Sequence, residues 1–438
     1  MECPYLNCRS DNTEPGKNAC PDCFRKLKIC KNCSEPNRVM AVYCRECGKK
    51  LLNSDMKWPV YRGSSQRLGV SRFTLNPANT NIRIKEKGNF YLPDKCKSLL
   101  MDESYLYAFS IDGHIKIIDI FQKPPRESVS FNVGGPFSSE PALCNGSLYV
   151  GTGQGLQAYS LGILLSGRPL TKPRWEVPVA GIVREMLPVE IRNENSTKNR
   201  LLFTIKINNN RDELHAVDNI QSSKPDSFKV IDQGRLSSIA IFSSKDKTKG
   251  KKVYFLSRHQ GNINLNRIDY SKHADSEKEP ITIEGAPSEF KTLLPIAVIG
   301  ARIFAVFTEK DTLCRLDADT GRCNQIAKNV KYFALPAIKY PVVVDSEGLF
   351  LPSKDRKAKI EKGQSVTCDP LILEDYAVVL GMRDGTIRLY DIHSPGLPFQ
   401  QRVSEMSNQK ITALAASGDI MAVGNDAGLV KTFGFEGR

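Results

Sequence analysis

The chain repeats one short pattern eight times after about residue 98, and this repeat limits its fold more than any other feature. Each unit has a run of about five β-branched or aromatic residues, a polar turn with Gly, Asp or Asn, and a second alternating run. Such a unit predicts a β-hairpin. The eight units begin at Ser104, Gly146, Arg200, Lys251, Ala301, Tyr340, Asp375 and Asp419.

The spacing of the units predicts a ring of small sheets. Unit starts lie 35 to 54 residues apart, and short apolar runs such as EPALCN, ALPAIK and DPLILE precede several of them. Periods of about 40 to 50 residues with several strands each are typical of β-propellers. Residues 98–438 give about 43 residues per blade if there are eight. We therefore expect a mainly β chain with eight blades, or seven if one unit is irregular.

The last unit is one strand short. It ends at Phe433–Phe435 after three strands, which would leave an open edge that invites aggregation. We expect a segment before Ser98, such as NIRIKEK from Asn81, to complete the last blade, so that the two ends of the propeller touch. The predicted domains are a propeller over 94–438 and, ahead of it, a linker with a possible ring-closing strand over 53–93.

Eight of the thirteen cysteines lie in the first 47 residues. Their spacing is C-x4-C followed by three C-x2-C pairs, which predicts two structural Zn²⁺ ions, each held by four thiolates. About 50 residues cannot fold by apolar burial alone, so the metal would supply the folding energy. We favour sequential over interleaved sites because each then encloses a hairpin-sized loop. The expected ligands are Cys3, Cys8, Cys20 and Cys23 for one ion and Cys30, Cys33, Cys44 and Cys47 for the other.

Two stretches carry resemblances to known families. ICKNCSEPNRVMAVYCRECGKKL, Ile29–Leu51, resembles the second ribbon of the double zinc ribbon family, although Cys3 and Cys8 depart from that family's C-x2-C spacing. This implies a ribbon domain over residues 1–52. The repeats resemble the pyrroloquinoline-quinone-like propeller family, through RLDADTGR at Arg315–Arg322, whereas no unit carries both the Gly-His and the Trp-Asp pair of a WD blade.

Enzymes of the quinone family are exported, use calcium and dock their cofactor with tryptophans. This chain has two tryptophans, Trp58 and Trp175, and its first residues form no apolar leader. The longest apolar run, Leu293–Phe307, contains Arg302 and is too short to span a bilayer. We expect a cytoplasmic protein without a quinone cofactor or membrane insertion, in which paired cysteines hold metal rather than form disulfides.

No motif indicates catalysis. The five histidines have no metal-binding spacing, and no G-x-S-x-G, H-E-x-x-H or P-loop occurs. Asp112, Asp384 and Asp426 fit either tight turns or a ring of carboxylates, and we favour turns. We expect no enzyme, although a site assembled in the propeller channel is a less favoured alternative. The histidines are His114, His215, His259, His273 and His393.

The remaining cysteines predict no metal site. Cys314 and Cys323 flank the DADTG turn and can approach each other as free thiols. We expect the other three, at 96, 144 and 368, to be small buried residues.

The formal net charge of +14 raises the possibility of a nucleic-acid partner. Residues 1–52 hold ten Lys/Arg and six Asp/Glu, a surplus that eight thiolates with two Zn²⁺ would cancel, leaving about +10 elsewhere. The basic stretches Ser243–Lys252 and Ser353–Lys362 fit either phosphate contacts or solvated loops, and we favour loops.

The function favoured by the sequence is a non-enzymatic scaffold. Zinc ribbons and a propeller both present protein-binding surface, so we expect protein partners in a multi-subunit complex and no small-molecule substrate. The alternative is a nucleic-acid-associated factor that contacts phosphate through its ribbons and basic loops.

Overall fold

The computed structural model describes residues 27–38, 70–71 and 82–437, apart from gaps of one to seven residues in connections between elements. This part of the chain forms eight blades of four or five strands and a separate two-stranded hairpin, Leu27–Ile29 with Pro36–Arg38. The blades form an eight-bladed β-propeller. The expectation of eight blades is confirmed, and the alternative of seven is wrong.

Blades are numbered along the chain, and their strands are numbered from the first, channel-side strand outward. The first strand of blade 4 is in two pieces. Blades 1 to 4 consist of Cys96–Met101, Tyr105–Ser110, His114–Asp119, Arg126–Asn132; Ala142–Cys144, Ser147–Thr152, Gly155–Ser160, Trp175–Pro178; Ile182–Asn193, Ser196–Lys206, Asp212–Asp218, Asp226–Asp232; and Arg235–Leu236 with Ala240–Ser243, Lys251–His259, Asn262–Asp269, Ser276–Thr282.

The other four blades follow the same order, and blade 7 has one added strand. Blades 5 to 8 consist of Ala297–Ile299, Arg302–Phe307, Thr312–Asp317, Cys323–Ala327; Tyr332–Ala334, Val342–Val344, Gly348–Leu351, Arg356–Lys359; Leu371–Leu373, Ala377–Gly381, Ile387–Asp391, Phe399–Gln401; and Ile411–Ser417, Ile420–Asn425, Leu429–Gly437, Ile82–Tyr91.

The repeated hairpins of the sequence are the second and third strands of the blades. Tyr105–Ser110 is buried along its whole length, whereas the fourth strand of the same blade, Arg126–Asn132, is mostly exposed. A strand between two neighbouring blades is covered on both faces, so its sequence is a continuous apolar run rather than an alternation. The first strand of the sixth blade is Tyr332–Ala334, which shares Ala334 with the predicted run ALPAIK; residues 336–339 of that run lie outside the described residues.

The ring closes by two kinds of contact. Neighbouring blades share apolar cores, and in the core between blades 8 and 1 Ile420 and Ala422 pack with Met101 and Leu106. The fourth strand of blade 8 comes from before blade 1, with Tyr91 opposite Leu429. This is the closing strand that the incomplete eighth unit predicts.

A second segment from before the propeller also joins a blade. Val70–Ser71 pairs in parallel with Leu371–Leu373, the first strand of blade 7. It occupies the edge opposite the second strand, which in a propeller is the edge that faces the channel.

Helices are rare in the described residues. There is one short α-helix, Leu161–Leu164, after the third strand of blade 2, and one 3₁₀ turn, Glu309–Asp311. No helix in the described part of the chain is long and apolar enough to cross a bilayer.

The four repeated strands of each blade are antiparallel, which places their connections on two faces of the ring. We call one the turn face: it carries the turns between second and third strands and the connections from one blade to the next. The opposite face carries the turns between first and second and between third and fourth strands.

Candidate functional site

The structure describes two of the eight predicted zinc ligands. Cys30 and Cys33 lie in the turn of the hairpin 27–38, where Cys30 is buried and Cys33 half-buried. The backbone N–H of Asn32 donates to Cys30 Sγ at 3.4 Å, and Ser34 N–H donates to the Cys30 carbonyl at 2.9 Å. This tight turn fits one C-x2-C half of a four-thiolate site. The other six ligands lie outside the described residues, and the described ones contain no group of three possible metal ligands.

Two of the turn aspartates hold turns on the turn face. Asp384 accepts hydrogen bonds from the backbone and hydroxyl of Thr386 and from Gln364 Nε2. Asp112 accepts from the backbone N–H of His114. In the last blade Asn425, not Asp426, has this role, because its Oδ1 accepts from the N–H groups of Ala427 and Leu429.

The structure describes the side chains of two of the five histidines. Nδ1 of His114 lies 2.7 Å from Asp112, and Nε2 of His215 lies 2.8 Å from Glu213. Burial raises the pKa of Glu213, but hydrogen bonds from Lys229 and His215 lower it more. Both imidazoles thus lie within hydrogen-bond distance of a carboxylate on the same strand or turn. The side chain of His259 and all of His273 and His393 lie outside the described residues.

The propeller cysteines are largely internal. Cys96 and Cys368 are buried and Cys144 is half-buried. Burial raises the pKa of the Cys368 thiol to about 12. Cys314 and Cys323 do approach each other across the third and fourth strands of blade 5. The Cys314 thiol donates to the Cys323 sulfur, and this hydrogen bond raises the pKa of Cys314.

The two basic stretches differ in structure. Residues 244–250 of the first lie outside the described part. Arg356–Lys359 of the second form the fourth strand of blade 6, so the expectation of a simple loop is wrong there. Lys357 pairs with Phe350, and this pairing at the outer edge overrides the polar composition.

Two buried carboxyl groups have a raised pKa. Burial raises the pKa of Asp102 to about 6, against hydrogen bonds from the N–H groups of Ser104 and Tyr105 and the Tyr107 hydroxyl. Burial also raises the pKa of Asp369, just before the first strand of blade 7, to about 7. Asp102 is used in the turn between two strands, which is a structural role.

A cavity of about 400 Å³ opens on the turn face between blades 3 and 4. We call it the blade 3–4 pocket. No local sequence pattern marks this pocket, because its residues come from two blades. Its lining is cationic and amide-rich, and consists of Arg184, Lys206, Asn208, Asn209, Asn210, Asp212 and Arg235.

A β-bulge places Arg184 in this pocket. Val183 pairs with Ile205 and Glu185 with Thr204, so Arg184 is the extra residue of the bulge. Bulges are frequent where a side chain must be turned toward a site. Nη1 of Arg184 lies 3.4 Å from the carboxylate of Asp212.

Asp212 joins the two blades beneath the pocket. Its side chain is almost fully buried and accepts from the N–H of Leu236 in blade 4 at 2.9 Å, while its own N–H donates to Gly234. The strand that carries Arg235 is thereby fixed against blade 3. The buried carboxylate thus accepts from donors in both walls of the pocket, Arg184 in blade 3 and Leu236 in blade 4.

The charge of the pocket is unbalanced. It holds three cations and one carboxylate, and Asp212 is already paired with Arg184. Lys206 and Arg235 form no ion pair or side-chain hydrogen bond with any other described residue. A surplus of two positive charges therefore faces the cavity.

An exposed apolar side chain lies next to the pocket. Ile182 is directly opposite Lys206 in the sheet and is 52% exposed. Paired residues of an antiparallel sheet project on the same side. The pocket thus has a cationic lining and an exposed apolar side chain, Ile182, at its edge.

Neither comparison with families and curated proteins identifies a relative. No family model matches the sequence, and no curated protein matches it.

Solved structures share the fold. The computationally designed Ika8 protein matches with a TM-score of 0.55 at 15% identity, over 78% of this chain and 97% of that one. BamB from Moraxella catarrhalis matches with a TM-score of 0.51 at 12% identity, over 81% and 98%. A europium-containing methanol dehydrogenase matches with a TM-score of 0.55 at 11% identity, over 87% and 98%. At these identities the matches establish a β-propeller and no function.

Proposed function

We propose that this protein is a non-enzymatic scaffold whose propeller binds a protein partner on the turn face. The observation that carries this proposal is the position of its exposed apolar side chains. Four large hydrophobic side chains are exposed among the described residues, and three of them, Tyr91, Ile111 and Ile182, lie at strand ends on the turn face. Exposed apolar groups on one face of a polar surface favour protein contact.

The rigidity of the ring supports the proposal. Hydrogen bonds join turns on the turn face to the connections between blades. The N–H of Asn408 donates to the carbonyl of Asp384, and the N–H of Leu92 donates to the carbonyl of Gly428. A surface that is already ordered loses little conformational entropy on binding. The described turns therefore form a preorganised docking face.

The N-terminal cysteines supply a second module in this proposal. The two predicted Zn²⁺ ions have a structural role, because four thiolates leave no coordination position for a substrate. The turn at Cys30 and Cys33 fits half of one such site. The ribbons then add a small, metal-held surface to the propeller, and the whole protein joins partners in an assembly.

A second candidate function is nucleic-acid contact. It is supported by the net charge of +14 and by Arg356–Lys359, in which three of four residues are cationic at the outer edge of blade 6. Binding to an oligonucleotide that weakens steeply with added salt would favour this candidate. Salt-tolerant binding to one protein would favour the scaffold.

Site-specific photocrosslinking tests the scaffold directly. A photoreactive residue is introduced singly at Ile182, Ile111 or Ile163 of the full chain, and adducts are identified by mass spectrometry in the cells that make it. Ile163 is the matched control because it is 49% exposed, close to the 52% of Ile182, but lies in the short helix on the opposite face. We expect one discrete protein adduct from Ile182 and Ile111 and none from Ile163. Equal labelling from all three positions would reject the turn face as the docking surface.

A further inference from the structure

The blade 3–4 pocket has no role in the fold that explains its charge. Asp212 joins the blades and needs one cation, which Arg184 provides. Lys206 and Arg235 add two more charges, and neither forms an ion pair with another described residue. Cations placed close together in a cavity repel each other, so this arrangement is unfavourable unless an anion enters.

The charge surplus defines the ligand. A phosphorylated side chain carries about −1.5 to −2 charges at neutral pH and three acceptor oxygens. A single carboxylate carries half of that. One guanidinium group can donate to two phosphate oxygens at once. The side-chain amides of Asn208, Asn209 and Asn210 add further donors around the cavity. A surplus of two positive charges therefore matches one phosphate group.

The rim of the pocket indicates what carries the phosphate. Ile182 stands exposed beside Lys206, and a free inorganic anion gains nothing from it. Nucleic acid would require cations along a track and aromatic groups for stacking, whereas the lining has no aromatic residue. A peptide offers both a phosphate and an apolar neighbour.

We infer that the blade 3–4 pocket binds a phosphorylated side chain of a protein partner, with Arg184, Lys206 and Arg235 on the phosphate and Ile182 on an adjoining apolar residue. This inference rests on the proposed function and deepens it. It makes partner binding dependent on phosphorylation. The turn face then has a specificity site at blades 3 and 4 within a larger docking surface.

Calorimetry on the full chain tests this inference. The probes are a short peptide with one phosphoserine between leucines, its unphosphorylated twin, inorganic phosphate and a single-stranded oligonucleotide. We expect the phosphopeptide to bind more tightly than the other three. Arg235→Gln or Lys206→Gln should each weaken it about tenfold or more, because each removes a charge-assisted contact.

Matched variants separate the pocket from general charge. Lys328→Gln removes one positive charge from an exposed position elsewhere on the turn face, in the connection from blade 5 to blade 6, and should leave the affinity within about twofold. Ile182→Ser should weaken the phosphopeptide but not inorganic phosphate. No variant should have a lower unfolding midpoint than the unchanged chain, since the side chains of Lys206 and Arg235 form no ion pair or hydrogen bond with another described residue.

Four results would overturn the inference. They are equal binding of the unphosphorylated twin, phosphate binding as tight as that of the phosphopeptide, binding of the oligonucleotide alone, and unchanged affinity in Arg235→Gln. The proposed function is tested separately, because crosslinking from Ile111 requires no phosphate. An adduct at Ile111 without phosphopeptide binding keeps the scaffold and rejects the phosphate site. Phosphopeptide binding without an adduct at Ile111 rejects the scaffold.

Discussion

Single glycines decide how closely the connections of the turn face can approach each other. Gly385 has φ +81°, and a Cβ there would lie 1.7 Å from the carbonyl oxygen of Met406. That oxygen belongs to the connection between blades 7 and 8. Gly261, in the matching turn of blade 4, has φ +86° but nothing within 4 Å of the Cβ position. The two residues thus share a backbone conformation and differ in their surroundings.

Alanine at these two positions separates strain from steric exclusion. Gly261→Ala should lower the free energy of unfolding by about 1 to 2 kcal/mol, the cost of a left-handed conformation with a side chain. Gly385→Ala should cost several kcal/mol more, because a backbone carbonyl must move. Urea unfolding followed by fluorescence measures both values. Equal losses would show that the blade 7 connection yields easily.

Short-range rules predicted some site residues and missed others. Asp384 sits before a glycine in MRDGT, a pattern that predicts the turn it makes. Lys206, Arg184 and Arg235 come from three strands in two blades, and Arg184 depends on a bulge that its sequence does not reveal. Ile182 and Val183 look alike in the sequence, yet one is exposed and the other buried. A site assembled across a blade interface leaves no local pattern.

Two elements outside the repeat show how the chain uses its N-terminal part. The closing strand Ile82–Tyr91 pairs along its whole length with Leu429–Gly437, and Glu86 accepts from the buried Lys431 ammonium at 2.8 Å. This element was predictable because a ring with one missing strand requires it. The pairing of Val70–Ser71 with blade 7 was not predictable, since two residues carry no alternating pattern.

The hairpin 27–38 provides a test of the predicted metal sites. We expect about two Zn²⁺ per intact chain and about one after Cys30→Ser with Cys33→Ser, because each four-thiolate site closes only with both pairs. Inductively coupled plasma mass spectrometry measures the metal content. Cys144→Ser is the control, since Cys144 is half-buried in blade 2 and should leave the zinc content unchanged. Folded protein without zinc would contradict the two-site account.

At the scale of the whole molecule, the fold follows from the repeat because each blade can cover its apolar faces only with its neighbours. Eight blades and the last-to-first core satisfy that requirement without a free edge between blades. The repeat does not specify function, and the structural likeness to a designed protein, BamB and a methanol dehydrogenase illustrates that one ring serves unrelated chains. Function must come from the surface, where the turn face differs from the opposite face.

Hydrogen–deuterium exchange of the chain, alone and in complex with the protein that crosslinks at Ile182, tests the central claim that partners bind the turn face. The account predicts slower exchange in the turn of residues 207–211 and around Ile111, and unchanged exchange in the helix Leu161–Leu164 on the opposite face. Protection confined to that helix, or to the cysteine-rich segment alone, would contradict it.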